Sequence, residues 1–205
     1  DPNYPLQVKK HWEFKSNFSL LNKKTFLINK GIENFKNRFK GINDLSYMKL
    51  NQYVEGKSFN KKYDGVVFLH DFFDSPHVYR TMLFEDFFEW IIFTIDFTIK
   101  HNLNVGFKPH PNQVNDSRIF VEILKKKYPH VNWIDENISN KDIFSSGIKF
   151  GVSVYGTVLS ELAYHNVIPI CCGDNPTSDY KFTFQAKSIE EYKNLILNYT
   201  DLKFP

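Results

Sequence analysis

From Gly65 onward, short β-rich runs alternate with longer stretches of helical period, and this alternation is the tightest constraint on how the chain can fold. Strands separated by helices pair in parallel, because each crossover helix returns the chain to the same end of the sheet. The strand candidates are Val66–His70, Val105–Lys108, Val131–Ile134, Phe150–Val154 and Ile168–Cys171, with a weaker one at Phe182–Phe184. Helical spacing covers Phe84–Lys100, Ser117–Lys127, Asn140–Phe144, Gly156–His165 and Ile189–Asn198, the last preceded by Ser188 and Glu191 at capping-box spacing. The pattern predicts an α/β fold over residues 63–205: a Rossmann-like, doubly wound, mostly parallel sheet of six strands. With 42% hydrophobic residues, 21 Phe and 11 Tyr, the chain has the apolar surface for such a core.

Residues 1–62 lack strands of comparable strength and read as a mostly helical extension, or the remnant of a preceding domain. They carry 13 basic and 5 acidic side chains, a net charge of +8, whereas residues 63–205 carry 13 and 18, a net charge of −5. A basic segment of this kind suits anionic lipid headgroups, acidic glycans or nucleic acid, and equally a solvated lysine-rich face. No RNA-binding signature accompanies it, so no nucleic-acid partner is expected. The longest apolar run, Trp90–Ile95, falls far short of the ~20 residues that span a bilayer, which limits membrane association to peripheral contact. Adjacent Cys171 and Cys172 suit neither an ordinary disulfide nor a metal site, in keeping with a reducing cytoplasm. The chain opens at Asp1 without a methionine or a signal-peptide pattern and reads as a piece of something longer.

In open parallel sheets ligands bind beyond the carboxyl ends of the strands, near the point where strand order reverses. The loops after the predicted strands therefore hold the candidate chemistry. The first exit, His70 to His77, gathers two histidines with Asp71 and Asp74; these could move protons or orient a sugar, while Asp74-Ser75-Pro76 also makes an ordinary turn. No zinc spacing is present there, and no metal is expected. The second exit sets Lys108 and His110 between prolines that stiffen the backbone, a pairing suited to neutralising a phosphate. The fourth exit, Ser153-Val154-Tyr155-Gly156-Thr157, leads into a helix start where backbone amides and the Thr157 hydroxyl can meet an anion. Glu161, one turn on, could take ribose hydroxyls or be a solvated helix residue. Gly173, in the turn after the fifth strand, lies beside the same predicted cleft.

Taken together these loops resemble the C-terminal domain of GT-B-type glycosyltransferases that build bacterial capsules and related surface glycans, over about Asp64 to Lys193. The most specific pieces are Phe107-Lys108-Pro109-His110-Pro111, similar to the His-Pro motif of capsule enzymes and bacterial sialyl- and polysialyltransferases, and Ser153 to Thr157 with Glu161-Leu162-Ala163. The resemblance implies that His110, Ser153, Gly156 and Thr157 bind the donor nucleotide's phosphate and Glu161 its ribose; Lys108, Tyr155 and Gly173, at the same strand exits, are expected beside them, Gly173 also serving as an ordinary tight turn. His70, Asp71, Asp74 and His110 are the catalytic candidates among these loops. The substrate would be a nucleotide-activated sugar, CMP-, CDP-, UDP- or GDP-linked, with no further cofactor, and the acceptor a glycan or lipid-linked glycan at the inner membrane face. Polyol-phosphate transferases that use CDP-glycerol look similar in the same places, and a GT-B-like epimerase or a non-catalytic nucleotide- or glycan-binding module are the alternatives. Residues 1–62 do not match the N-terminal domain that often carries the catalytic base in this fold.

Overall fold

A computed structural model describes residues 13–40 apart from Lys15, Ile42, and 59–204 apart from Pro76, His77 and Asp179. The expectations for the remainder of residues 1–62, and for His77, lie outside the described residues. Helix α1 (Lys24–Phe39) precedes a run of β1 (Gly65–Phe68), α2 (Phe87–Lys100), β2 (Val105–Lys108), α3 (Asn115–Lys127), β3 (Asn132–Trp133), α4 (Asn140–Ser145), β4 (Phe150–Ser153), α5 (Val158–Tyr164), β5 (Ile168–Cys171), β6 (Phe184–Gln185) and α6 (Ile189–Leu197). All six strands are parallel, in the order β3-β2-β1-β4-β5-β6. The order reverses between β1 and β4, which sets the exits of β1, β2 and β4 side by side.

Alternating side chains send the central strands into two cores. Val67, Leu69, Phe107, Phe150 and Val152 pack with Trp90 and Ile91 of α2 and Tyr192 of α6. Val66 and Phe68 point the other way, to Ile143 and Phe144 of α4, Leu162 of α5 and Phe39 of α1. Helix α1 is held there by Phe35, stacked 5.1 Å from Tyr164, and by Phe39, edge-on 4.5 Å from His165.

Local chemistry fixes the element ends and shifts several from their predicted positions. Asp86 accepts from the Glu89 amide, so α2 begins at Phe87 and not Phe84. Ser188 caps α6 as expected, its Oγ accepting from the Glu191 amide, but the Glu191 carboxylate accepts from the amide of Lys187, one residue before the cap, and not from Ser188. Gly156 adopts φ +125°, outside the helical region, so α5 starts only at Val158. The last strand pairs Phe184 with Ile170 and Gln185 with Cys171, two residues beyond the start expected from the aromatic run.

Leu162 of α5 lies against β4 so closely that a Cβ on Gly151 would stand 2.5 Å from its Cδ1. Leu162 is fully buried and cannot swing away. Gly151→Ala should therefore push α5 off the sheet and cost about 1–3 kcal/mol; urea unfolding indistinguishable from wild type would contradict this packing.

Candidate functional site

A cavity of about 420 Å³ opens where the exits of β1, β2 and β4 meet, lined among others by His70, Asp74, Lys108, His110, Gly156 and Glu161. Its volume falls in the range of small-molecule sites. Lys108 ends β2, paired with Phe68 at the end of β1, and its side chain is only 4% exposed. No hydrogen-bond or ion-pair partner meets its ammonium among the described residues. Burial pushes it down to about 8, against the pull of the Glu161, Glu136 and Asp135 carboxylates. Lys108 is thus a desolvated cation with carboxylates nearby but none in hydrogen-bond contact among the described residues.

His110 follows across Pro109 and is partly buried. Its Nδ1 accepts from the Asn112 amide at 3.2 Å. Burial and the Lys108 charge lower its proton affinity, although Asp71, Asp74 and Glu136 oppose them. The ring is accordingly neutral near pH 7, with its proton on Nε2 as a hydrogen-bond donor.

His70 is built differently. Its ring stacks on Phe87 at 4.6 Å, and Nε2 lies 3.0 Å from Ser153 Oγ and accepts from the Tyr155 amide at 3.3 Å. Burial and the neighbouring His110 depress its pKa to about 3 despite the Tyr155 hydrogen bond. A ring that resists protonation to that degree braces the β1 and β4 exits and is a poor proton acceptor near neutrality. Ser153, 1% exposed, also lies 3.2 Å from the Phe68 and Tyr155 carbonyls. The Tyr155 hydroxyl donates to the Ser75 carbonyl, and burial raises its pKa, with Asp74 and Tyr79 adding to the effect. These three residues form the floor and wall of the cleft.

The remaining candidates divide sharply. Asp71 is a strut: Oδ1 accepts from the Phe73 amide and the Ser117 hydroxyl, and Oδ2 from the Val114 amide, capping α3 from a distance because valine cannot cap its own helix. Burial raises its pKa, but those hydrogen bonds and His110 outweigh it and hold the carboxyl below its ordinary range. Asp74 is exposed at the cleft mouth. Gly173 does not line the cleft; it sits where residues 81–83 cross the chain, and a Cβ there would meet Val154 Cγ1 at 2.9 Å. The amides of Gly156, Thr157 and Val158 donate to no backbone carbonyl among the described residues, but α5 has only seven residues and offers little dipole.

Glu161 is neither solvated nor presented as an open ribose acceptor. It is 1% exposed, with Oε1 2.9 Å from Arg38 Nε and Oε2 accepting from Asn140 Nδ2 at 3.0 Å. Arg38, from the last turn of α1, also donates through Nη2 to Thr157 Oγ1 at 3.2 Å. Sequence reasoning missed both Arg38 and Asn140. A faint signal existed for Arg38, the single arginine among the 13 basic residues of 1–62, since arginine is favoured where planar, bidentate pairing is needed. A second cavity of about 440 Å³ flanks Pro109 on its other side, but its Arg118 is already paired with Glu136. Among the described residues no cluster of three His, Cys, Asp or Glu could hold a metal ion, and no helix is long and apolar enough to cross a membrane.

Two outcomes follow from the buried groups. Lys108→Met removes a desolvated charge, whose cost is on the order of 3 kcal/mol from the fall of its pKa from 10.5 to about 8, and should raise Tm by a few degrees; a lowered Tm would show that the ammonium is satisfied in the free protein. His70 takes up a proton near pH 3 in the fold but near 6.5 in the unfolded chain. Between those values the unfolded chain holds more protons, so stability is full above about 6.5 and falls as pH is lowered, by up to about 1.4 kcal/mol per pH unit. Urea titrations from about pH 7 to about pH 4 should give a flatter profile for His70→Gln than for wild type, and equal slopes would exclude a neutral buried ring. No protein-family model and no curated protein matches the chain, so the functional conclusion rests on the residues of this cleft.

Proposed function

We propose that this chain is the nucleotide-sugar-binding domain of a glycosyltransferase that builds a bacterial capsule or surface polysaccharide. The observation that carries the reading is the buried Lys108 ammonium, without a hydrogen-bond or ion-pair partner among the described residues, set at the reversal point of a parallel sheet in the same cleft as a neutral His110. Both groups face one 420 Å³ cleft, of a size for a nucleotide. In such a transfer an acceptor hydroxyl attacks the sugar's anomeric carbon, the bond from that carbon to the phosphate oxygen breaks, and the nucleotide leaves with the negative charge. Lys108 and His110 would stabilise that developing charge. Asp74, the exposed carboxylate at the mouth, would take the hydroxyl proton.

The Lys108-Pro109-His110-Pro111 resemblance to capsule and sialyltransferase motifs favours a cytidine nucleotide, CMP or CDP, over UDP or GDP. A surface-glycan acceptor accords with the net charge of +8 on residues 1–62, suited to the anionic inner face of a membrane. The same anion site would serve a polyol-phosphate transferase, whose donor is also a cytidine diphosphate.

Calorimetric titration of CMP, CDP, UDP and GDP tests the assignment. Wild type should bind at least one of them, and Lys108→Met should weaken it roughly ten- to a hundredfold, the equivalent of one charge-assisted hydrogen bond. His110→Ala should cost less than about tenfold near neutral pH, because a neutral donor is lost. Wild-type affinity should rise as pH falls, since a bound phosphate favours the protonated ring. Asp74→Asn should leave nucleotide affinity unchanged. No binding by wild type, or wild-type affinity in Lys108→Met, would remove the nucleotide site from this cleft.

A further inference from the structure

The second cavity, of about 440 Å³, shares Pro109 with the Lys108 cleft but is built from α3 and the exit of β3, and its chemistry is different. Both cations in its lining are already paired, Arg118 with Glu136 and Lys125 with Glu122 at 2.7 Å, and Arg118 also donates to the Pro111 carbonyl at 3.4 Å. A third carboxylate, Asp135, accepts from the backbone and side-chain N–H groups of Asn137, each at 2.9 Å. Three carboxylates against two cations leave this wall rich in acceptors and unsuited to a phosphate.

Gln113 supplies an independent observation. It lines the cavity and is 6% exposed. Its Nε2 donates to Glu136 Oε2 at 2.7 Å, which fixes the orientation of the amide, because the reverse would set oxygen against oxygen. Oε1 is left buried with no hydrogen-bond partner among the described residues, and a buried acceptor without a donor is unfavourable. Filling the cavity with a ligand that brings a donor relieves that deficit. Trp133 lines the same cavity and spends its indole N–H on the Tyr128 carbonyl at 3.2 Å, so what it offers a ligand is apolar ring surface.

We propose that this cavity is a saccharide-binding subsite, in which a neutral sugar unit lies against Trp133 and donates a hydroxyl to Gln113. A sugar joins hydroxyl donors, which the acceptor-rich wall needs, to apolar C–H faces that suit the indole, and it carries no charge to be neutralised. Next to a donor cleft, the unit belongs to the acceptor glycan. That role rests on the transferase reading above, whereas the saccharide site itself stands on the cavity alone.

Saturation-transfer NMR of the full chain with lactose, maltose and N,N′-diacetylchitobiose tests the proposal. At least one should bind wild type, and Gln113→Met, similar in length but unable to accept, should weaken it about three- to tenfold while CDP affinity stays that of wild type. The Trp133 indole N–H signal of wild type, identified by its loss in Trp133→Phe, should shift with the same disaccharide; this reading needs no Gln113 variant. Binding of none of the three, wild-type saccharide affinity in Gln113→Met, or an unmoved indole signal would overturn the proposal. Weaker CDP and cytidine binding in Gln113→Met would also overturn it, by giving the cavity to the nucleoside. A chain that binds a disaccharide but no nucleotide would keep the subsite and lose the transferase reading, and the reverse result would lose the subsite alone.

Discussion

Strand β1 pairs in parallel with β2 on one side and β4 on the other, and the site depends on that double pairing. The register sets Phe68 opposite Lys108, while Val67 opposite Val152 leaves Ser153 one step beyond. The three exits therefore leave the sheet at one level. Lys108 is the last residue of its strand and is only 4% exposed, lining the cleft. The result is a largely buried cation where three loops converge. An isolated buried charge is unfavourable unless it is paired, and such an arrangement is retained at sites whose partner arrives from outside.

The polar residues around the cleft have different tasks, set by which of their bonds are already made. His70, Ser153, Tyr155 and Asp71 are bound to other loops, and they hold the β1, β4 and α3 ends in register. Lys108, His110 and Asp74 keep bonding capacity directed at the cavity. Rigid supports under a small set of open groups is the arrangement that recognition needs, because prepaid orientation lowers the entropy lost on binding. Helix α1 adds to this from outside the sheet: its aromatic pair supplies the adhesion, and Arg38 reaches the cleft from there.

The sheet was legible in the sequence because its central strands are buried on both faces and read as runs such as Val66-Val67-Phe68, bounded by Gly65 and the polar exit. The cleft was legible for the same reason: strand ends locate ligand loops, and Lys108 and His110 stand at one of them. Side-chain environment was not. Asp71 looked catalytic, yet Val114 in the next loop leaves an amide that Asp71 must satisfy, a pairing 43 residues apart. Gly173 looked like a ligand turn, whereas a backbone crossing from residues 81–83 requires its missing side chain. Glu161 changed most, because its partner sits on a helix more than a hundred residues earlier and no local pattern records that contact.

The central claim, that Lys108 is a desolvated cation completed by a nucleotide phosphate, can be read at the atom itself. Carbon-detected NMR of the lysine Cε across a pH titration, with Lys108→Met to assign the signal, reports its ionisation with and without a saturating nucleoside diphosphate. The free protein should titrate near about 8, well below the ordinary 10.5, and bound diphosphate should carry it back toward or beyond that ordinary value. A free-state value already at the ordinary level, or one that the diphosphate leaves unmoved, would contradict the account.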